Sequence, residues 1–423
     1  MNSISFIIRS LSYYSKQHLA VFLATIISTA VLTGALIIGD SVKYSLKKLV
    51  DQRLGNTEYV LVTGDRFVSN QLSKKISNDL GIATASLLML EGIAINTENQ
   101  KRVNKVQLLG IDNDFWALSN INTPKLLGNE IIVSQHLANK LSLDIGQELL
   151  LRIRNADIVP LDAPFTSDEE QTIALRMIVK EIAGDSMLGR FSIRNNQTPP
   201  YNVFINKDFL GDKLDLDELS NIIITSDNEN IDKETLDKSL QSNITLKDLG
   251  LTLTNIDGDK FELKSTRIFI DHTFSSSIDT IRIPSQKILT YFVNSISTNN
   301  NETPYSFVSA ISNDYLGQQI TNSEIIINSW LANDLDAKIG DSLEVQYYVI
   351  GLLRRLQEKS EYFIVKDIIP LDNNLLSSSL MPDFPGLSDA GNCSDWDASI
   401  PIDLKKIRDK DEEYWNDFKG TPK

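Results

Sequence analysis

An apolar stretch near the N-terminus, residues 19–39, constrains this chain more than any other feature. Its sequence, LAVFLATIISTAVLTGALIIG, contains no charged residue. At a rise of about 1.5 Å per residue, a helix of this length covers the roughly 30 Å hydrocarbon core of a bilayer. A buried helix of a soluble protein would normally keep a polar face over such a length. The stretch therefore predicts a transmembrane helix over residues 19–39.

Small and hydroxyl-bearing residues recur along this stretch at helical spacing. They are Thr25, Thr29, Ala30, Thr33 and Gly34. Side chains of this size let the backbone of a second helix approach closely, so the sequence predicts that this face packs against other transmembrane helices. A lone membrane anchor also tolerates small residues, so the face by itself leaves both alternatives open.

A cleaved signal peptide is the main alternative to a membrane span. Arg9 and Lys16 have the charge expected of its basic n-region. The apolar run is longer than a usual h-region, however, and no clear A-x-A cleavage site precedes Asp40. Retention of the segment is therefore favoured over its removal.

The segments on either side of the span also have helical patterns. Residues 1–18 mix apolar and basic residues, which is typical of an interfacial lead-in helix on the cytoplasmic side. Residues 40–56 continue at helical spacing and include Gly55, a typical C-cap residue, so they predict a helical stalk.

More Lys and Arg follow the span than precede it, which favours a cytoplasmic C-terminal part. Long domains translocate largely regardless of such charges, so the charge count does not settle the orientation.

Charge and cysteine content exclude several classes of protein. The 423 residues carry a formal net charge of −15, and the first 39 contribute +2, so the remainder carries −17. A surface this acidic repels nucleic acid, which we exclude as a partner. Cys393 is the only cysteine, so the chain can form neither an intramolecular disulfide nor a cysteine-based metal site. The fold must therefore depend on core burial.

An internal repeat is the strongest signal in the polar part of the chain. Residues 130–149, EIIVSQHLANKLSLDIGQEL, align without a gap to residues 324–343, EIIINSWLANDLDAKIGDSL, with ten identities in twenty positions. Each copy predicts a strand, a short capped helix, a loop ending in Ile-Gly with positive φ at the glycine, and a hairpin. The signature positions are Glu130, Leu137, Ala138, Ile145 and Gly146 in the first copy and Glu324, Leu331, Ala332, Ile339 and Gly340 in the second.

The pattern after residue 56 is that of a mixed α/β region rather than of regular βαβ alternation. We predict an α+β fold with one N-terminal transmembrane helix and its stalk. Two extracytoplasmic α+β subdomains follow, residues 57–200 with the first repeat copy and 201–380 with the second, and then an irregular C-terminal segment, 381–423. Within the second subdomain, residues 276–296 favour a helix with Tyr291 and Phe292 on one side.

Two groups of oxygen-bearing side chains have the type of ligand found in cation sites. The first surrounds Asp257 and Gly258, where the glycine is misplaced for a calcium loop, so a β-hairpin turn is favoured. The second is near Cys393, where a capped turn is favoured over a cation site. Its members are Asp389, Asn392, Asp395 and Asp397.

Motifs for catalysis are missing from the sequence. It contains no G-x-x-x-x-G-K-[ST] loop, no G-x-S-x-G elbow and no H-E-x-x-H helix, so we predict no ATPase or hydrolase activity and no catalytic, cofactor-binding or metal-binding residue. The histidines His18, His136 and His272 are far apart in sequence. Trp330 replaces His136 in the second repeat copy, which favours packing over metal ligation.

These features together resemble a known family. The span ending in LIIGDSVKYSL, the β-rich region and the E-I-I-[VI]-x-x-x-L-A-x-x-L-x-x-x-I-G-[DQ]-x-L units resemble FtsX-like or MacB-like permeases of ABC transporters. The chain looks like the first span and first periplasmic region of the large permeases found in Bacteroidetes-type bacteria.

The resemblance implies a MacB-like periplasmic core domain and a single pass, as given, through the bacterial inner membrane, with a cytoplasmic N-terminus. It also implies mechanotransmission, in which a partner ABC-type ATPase hydrolyses ATP and a periplasmic domain moves or releases a substrate. The implied partners are that ATPase, membrane lipid, and a second permease copy or a complementary chain with further spans. The chain departs from the family in lacking the later spans, so a fragment or a split-gene subunit is expected. The alternative is a membrane-anchored extracytoplasmic binding or scaffold protein with no transport role.

Overall fold

The computed structural model describes most of the chain, in thirteen pieces. These are residues 3–64, 66–154, 172–194, 198–226, 231–267, 269–281, 283–350, 356–377, 387, 390–393, 396, 402–419 and 421. Asp389, Asp395 and Asp397, three members of the oxygen-bearing group near Cys393, lie outside the described residues. The architecture is α+β, with one long apolar helix at the N-terminus.

The secondary-structure elements of the described residues follow in chain order. The helices are α1 (Ser3–Tyr13), α2 (Ser15–Leu54), α3 (Asn70–Leu80), α4 (Asn113–Leu118), α5 (Gln135–Leu141), α6 (Lys207–Lys213), α7 (Lys233–Asn243), α8 (His272–Ile281), α9 (Asn313–Leu316), α10 (Ser329–Leu335) and α11 (Asp409–Asp417). The strands are β1 (Thr57–Val62), β2 (Val68–Ser69), β3 (Thr84–Asn96), β4 (Arg102–Ile111), β5 (Glu130–Ser134), β6 (Glu148–Arg154), β7 (Thr172–Ala183), β8 (Asn202–Asn206), β9 (Leu219–Ser220), β10 (Ile222–Ser226), β11 (Leu251–Asp257), β12 (Lys260–Ser265), β13 (Leu289–Ser297), β14 (Glu302–Ala310), β15 (Glu324–Asn328), β16 (Ser342–Ile350) and β17 (Leu356–Ile369).

Six strands close into what we call the first barrel, in the order β3-β4-β8-β5-β7-β6 with β6 pairing back onto β3. The short strand β8 completes the ring, because it pairs in parallel with β4 and antiparallel with β5. Side chains such as Leu108, Ile131 and Leu151 are fully buried in its core. Closure leaves none of these six strands with an unpaired edge along its whole length, which removes the usual hazard of edge-to-edge association.

The first barrel also carries an extension. The N-terminal half of β3 pairs with β10, and β10 pairs with β1. Helices α3 and α7 cover β10 through a small apolar cluster that includes Leu72, Ile76 and Ile223. The sequence places a division between subdomains after residue 200, and the structure differs. Both β8 and β10 belong to the first subdomain, because they hydrogen-bond to strands that precede them in the chain.

The second unit consists of five strands in the order β14-β13-β16-β17-β15. This order matches β4-β3-β6-β7-β5 of the first barrel. In both units the strand that starts with Glu pairs in parallel with a later strand, Glu130 opposite Ile178 and Glu324 opposite Ile364, with one register shift two residues further on. Among the described strands, none pairs with the outer edge of β14 or β15. Within the described residues, the second unit is therefore an open sheet, whereas the first is a closed barrel.

The helix expected over residues 276–296 is wrong. Only its first part is helical, in α8, and residues 289–297 form the central strand β13, which pairs with β14 on one side and β16 on the other. Apolar residues such as Phe292, Val293 and Ile296 are buried on both faces of this strand. A strand covered on both faces loses its two-residue alternation, so its sequence is easily mistaken for a helix.

Two further segments bear on the sequence predictions. The β-hairpin predicted at Asp257 and Gly258 is confirmed: β11 pairs with β12, and Gly258 adopts φ +54°. The C-terminal segment 381–423, expected to be irregular, contains the helix α11, whose Tyr414 and Trp415 are buried. Burial against another element stabilises a helix too short to form alone.

Gly146 and Gly340 adopt φ values of +90° and +96°, which confirms the positive φ predicted for the repeat loops. Replacing either glycine with alanine should destabilise the protein by about 1–2 kcal/mol, because a Cβ atom is disfavoured in this region. Gly184→Ala is the matched control, since Gly184 has φ −80° and no atom within 4 Å of an added Cβ. Urea-induced unfolding of the variants and of the control measures the change in the free energy of unfolding. Equal effects at all three positions would contradict the assignment.

Candidate membrane helix and its junction with the first barrel

Helix α2 runs without interruption for 40 residues, Ser15–Leu54, and none of its residues is buried. At about 1.5 Å per residue it is roughly 60 Å long, about twice the thickness of a bilayer core. Within the described residues it is the one helix with the length and apolar character needed to cross a membrane. The predicted span, 19–39, and the predicted stalk, 40–56, therefore lie on one continuous rod apart from the last two stalk residues.

The residues of the predicted packing face lie exposed or half-exposed on α2. Thr25 donates its hydroxyl hydrogen to the carbonyl oxygen of Val21 at 2.8 Å, and Thr29 donates to the carbonyl of Thr25 at 2.7 Å. These hydroxyls are satisfied within the helix. No atom lies within 4 Å of a Cβ added at Gly34. The small side chains of this face therefore allow a second helix to approach closely. The members of the face are Thr25, Thr29, Ala30, Thr33 and Gly34.

The C-terminal end of α2 is shaped by Gly55. This glycine adopts φ +58°, and its N–H donates to the carbonyl oxygen of Asp51 at 2.8 Å. A Cβ atom at this position would lie 2.3 Å from the Oγ atom of Ser119 and 3.0 Å from the Cδ2 atom of Leu188. The close approach and the positive φ both require glycine. Here α2 ends directly against surface elements of the first barrel.

Asn56, the next residue, joins the end of α2 to α4. Its side-chain amide donates to the carbonyl oxygen of Leu118 at 3.1 Å, and its backbone N–H donates to Ser119 Oγ at 3.2 Å. Helix α4 is itself fixed, because Phe115 and Trp116 are buried in the apolar cluster between α4 and the barrel strands. This contact therefore connects the rod to a packed element.

Arg53 makes a second contact from the last turn of α2. Its guanidinium donates to the backbone carbonyl oxygens of Ser192 and Arg194. These residues belong to residues 184–194, which we call the junction loop. Arg194 in turn pairs with Glu91 of β3, with 2.7 Å between Nη1 and Oε1. Arg53 therefore holds a loop that is tied directly to a barrel strand.

Buried contacts fix the junction loop on the barrel. The side-chain amide of Asn202, at the start of β8, donates to the carbonyl oxygens of Gly189 and Phe191 at 3.2 and 2.9 Å. Gln107 of β4 also donates to the carbonyl of Phe191, and the ring of Phe191 packs edge-on against Phe115 with centroids 5.1 Å apart. The loop is thus held by β3, β4, β8 and α4. A displacement of α2 would act on several strands at once.

Sequence reasoning identified Gly55 as a helix cap but missed the partners of Arg53 and Asn56. The motif Arg-Leu-Gly-Asn signals a helix end, and a basic residue in the last turn is an ordinary complement to the helix dipole. Nothing local distinguishes that role from docking. The acceptors lie more than sixty residues away in the chain, so only the tertiary fold shows the contact.

The signature residues of the repeat occupy matching places in the two units. Glu130 accepts from Lys180 Nζ at 2.6 Å and from the Leu127 N–H at 2.9 Å, and Glu324 accepts from Lys366 Nζ at 3.1 Å and from the Thr321 N–H at 2.8 Å. For Glu130, the bond from Lys180 contributes most to holding the pKa of the carboxyl below its usual value. For Glu324, the Thr321 N–H contributes most to the same lowering of the pKa. Both carboxylates fasten the start of a strand.

The remaining signature residues divide into buried and exposed sets. Leu137 and Ala138 of α5 and Leu331 and Ala332 of α10 are buried. Ile145 and Ile339 are both 63% exposed, beside the glycines with positive φ. These residues are well separated from the packing face of α2: Gly34 is 20 residues from Leu54, or about 30 Å along the helix axis. The structure therefore does not bring the two predicted sets into one site.

His136 has the packing role that its replacement by tryptophan in the second repeat copy favours. Its ring stacks on Tyr201, with centroids 4.7 Å apart. Within the described part of the chain, no three His, Cys, Asp or Glu side chains are grouped as metal ligands. The described residues thus supply contacts that position the end of α2 on the first barrel.

The chain was compared with known families, curated proteins and solved structures. No protein-family model matches it, and no curated protein matches it. Among solved structures it is similar to the periplasmic region of MacB from Actinobacillus actinomycetemcomitans, at 10% identity and a TM-score of 0.31, over 56% of this chain and 97% of that one. It is also similar to the extracellular domain of the noncanonic ABC-type transporter YknZ from Gram-positive bacteria, at 10% identity and a TM-score of 0.30, over 44% and 94%. The activity therefore has to be argued from the residues themselves.

Gly55→Ala should loosen the junction, because the new Cβ would clash with Ser119 and Leu188 at a backbone angle that disfavours it. We expect hydrogen exchange at the Asn56 amide to accelerate by about tenfold, while the amides of β3 keep their protection. Gly34→Ala is the matched control in the same helix, since space around Gly34 is open. Unchanged exchange at Asn56 in the Gly55 variant would show that the end of α2 is not tightly docked.

Proposed function

We propose that this chain is a permease subunit, or the N-terminal portion of one, of an FtsX-like or MacB-like ABC transporter that works by mechanotransmission. The observation that carries the proposal is the continuity of α2 with its junction. A helix of membrane-spanning length runs on as a rigid stalk and ends in contacts with the first barrel through Arg53, Gly55 and Asn56. A simple tether needs neither the rigid stalk nor the docked end.

The junction determines how motion would pass from the membrane to the extracytoplasmic side. Because α2 is helical up to its contact with the junction loop, a tilt or rotation of the span is carried to that loop with little loss in bending. The loop is fixed to β3, β4 and β8, so the barrel follows as a body. No nucleotide site is required in this chain for such a movement. The ATP would be hydrolysed by a partner ATPase.

In this proposal, the two units are copies of one structural element. Strand order, the register of the parallel pair, the Glu–Lys ion pairs and the Ile-Gly turns recur between them. We infer that the chain carries a duplicated strand-helix-hairpin unit, and that the pair forms the MacB-like periplasmic core that moves or releases the substrate. The predicted location is the bacterial inner membrane, with the N-terminus in the cytoplasm. Further spans would come from a second permease copy or a complementary chain.

The alternative is a single-span anchored binding or scaffold protein without a transport role. One observation favours it: nothing in the described chain packs against the small-residue face of α2. A scaffold needs only an anchor, whereas a permease subunit needs this face to contact other transmembrane helices. The composition of the face therefore separates the two hypotheses.

Replacing Thr25, Thr29, Ala30, Thr33 and Gly34 with leucine should abolish assembly with a multi-span partner. The added side chains hold the neighbouring backbone away and remove the close packing that associates helices in lipid. Co-purification from native membranes, with detection of an ABC-type ATPase and a multi-span chain, measures the effect. The unaltered chain should retain both partners.

Ala24, Ser28 and Ala35 supply the matched control, because at helical spacing they lie on the opposite side of α2 and are also small. Their replacement with leucine should leave co-purification intact. If the unaltered chain is isolated from native membranes as a single-span monomer, the permease proposal is wrong and the scaffold proposal is favoured.

The proposed orientation conflicts with the flanking charges, and cysteine labelling decides between them. In a Cys393→Ser background, Asp259→Cys in the exposed β11–β12 turn should react with a membrane-impermeant thiol reagent in cells with a permeabilised outer membrane. Ser12→Cys, on the exposed N-terminal helix α1, should react only after the inner membrane is broken. The reverse pattern would place the barrel in the cytoplasm and overturn the family-based topology.

A further inference from the structure

Among the described strands, the second unit has no counterpart of β8. In the first barrel, β8 pairs with β4 on one side and β5 on the other. The matching strands β14 and β15 have no described strand partner on those edges. The segment that lies there instead is residues 402–419, which we call the strap and which contains α11. In the chain, the strap comes after all five strands of the second unit. Strand β8 is the next strand after β7 of the first barrel.

Contacts at matching positions show that the strap takes the place of β8. In the first barrel, Ser134 Oγ accepts from the N–H of Asn202 in β8 at 3.1 Å. The residue that matches Ser134 in the second unit is Asn328, and its side-chain amide donates to the hydroxyl of Tyr414 in the strap at 2.9 Å. Both contacts start from the end of the strand that begins the repeat, and they join it to β8 in the first unit and to the strap in the second.

Aromatic contacts repeat the same correspondence. His136 stacks on Tyr201, which directly precedes β8, with centroids 4.7 Å apart. The matching residue Trp330 contacts Tyr414 of the strap, also with centroids 4.7 Å apart. The replacement of histidine by tryptophan between the repeat copies thus accompanies a change of partner. The larger ring of Trp330 contacts a residue of helix α11, whereas His136 contacts the residue that precedes strand β8.

The strap also meets the edge of β14. Arg408 donates to the backbone carbonyl oxygen of Glu302 at 3.0 Å, and the N–H of Asp403 donates to the hydroxyl of Tyr305 at 2.6 Å. Tyr305 adopts φ +44°, an uncommon conformation for a bulky residue. Its ring lies in an apolar cluster with Phe292, Phe307, Cys393 and Trp415. The strap therefore helps to hold Tyr305 in this uncommon backbone conformation at the edge of β14.

A charged cluster around Asp334 fastens the strap to α10. The side chain of Asp334 is only 3% exposed and accepts hydrogen bonds from Arg408 at 2.7 Å, from Lys410 and from Thr303. Arg408 also pairs with Asp411 within the strap, at 2.6 Å. Burial alone raises the pKa of Asp334, but the bonds from Lys410, Thr303 and Arg408 outweigh it and hold the pKa below its usual value. The buried carboxylate thus depends on two cations that only the strap supplies.

We propose that the strap is a releasable cover that closes the second unit in place of a strand, with Asp334 as its main attachment. A nine-residue helix is marginal on its own, so the strap is ordered only while it is docked. Its contacts are side-chain contacts rather than a continuous ladder of backbone hydrogen bonds. It can therefore leave without unfolding the five strands, and its departure would bare the edges of β14 and β15, which are then open to pairing with another strand. This proposal does not depend on a transport role.

Cys393, the only cysteine of the chain, is a built-in reporter of strap release. Its side chain is buried at 2% exposure in the cluster with Trp415. In the full chain in detergent, a thiol reagent should label it slowly. Asp334→Asn removes the charge that Arg408 and Lys410 neutralise, and we expect labelling to accelerate by about tenfold or more, as for a locally opening segment. Arg408→Gln should act similarly, and the double variant should add little to either single variant, because both changes break one interaction.

Lys366→Gln is the matched control, because it breaks an ion pair with Glu324 in the same unit at a distance in sequence from the strap. Its labelling rate should equal that of the unaltered chain. Hydrogen exchange at β16 and β17 should remain protected in every variant. Labelling of the Asp334→Asn variant at the unaltered rate would overturn the proposal, as would labelling that accelerates only together with loss of protection in β16 and β17.

Discussion

The structure depends on how strand edges are covered. Each strand edge carries backbone N–H and C=O groups that must be paired, hydrated or shielded, and the two related units meet this demand differently. The first barrel pairs its edges with β8, a strand of only five residues. The second unit leaves the matching edges of β14 and β15 without a described strand and covers them with a helix from the C-terminal segment. Among the described strands, the same order thus yields one closed barrel and one open sheet that contacts a C-terminal helix.

Closure of the first barrel has a direct consequence for α2. Because β8 ties β4 to β5, the surface that carries the junction loop belongs to a ring of hydrogen-bonded strands rather than to a free edge. Asn202 of β8 donates to two carbonyl oxygens of that loop, and Arg53 of α2 donates to another carbonyl oxygen of the same loop. A displacement of α2 would therefore act on a closed ring of strands rather than on a single edge strand. Within the described residues, the second unit has no such closed ring.

Sequence reasoning succeeded where the physical signal is local. The apolar stretch of residues 19–39, the cap at Gly55 and the Asp257-Gly258 turn each depend on a few neighbouring residues, and each lies in the expected element. It failed at residues 289–297, where burial on both faces of β13 removed the alternation that marks a strand. It also placed the end of the first subdomain too early, because nothing in the residues of β8 shows that they pair with β4 and β5 far earlier in the chain.

The sequence by itself determined that the chain has a membrane-length apolar helix, an α+β region after it, a repeated segment and no recognisable catalytic motif. Those properties follow from composition, periodicity and short-range residue chemistry. Only the tertiary structure decided that α2 ends in a docked junction, that β8 closes one unit and that the strap covers the other. The physical reason is that these contacts join residues more than sixty positions apart, such as Arg53 with Ser192 and Asp334 with Arg408. The geometry of the packed strands determines which residues meet in these contacts. A local sequence pattern does not contain that information.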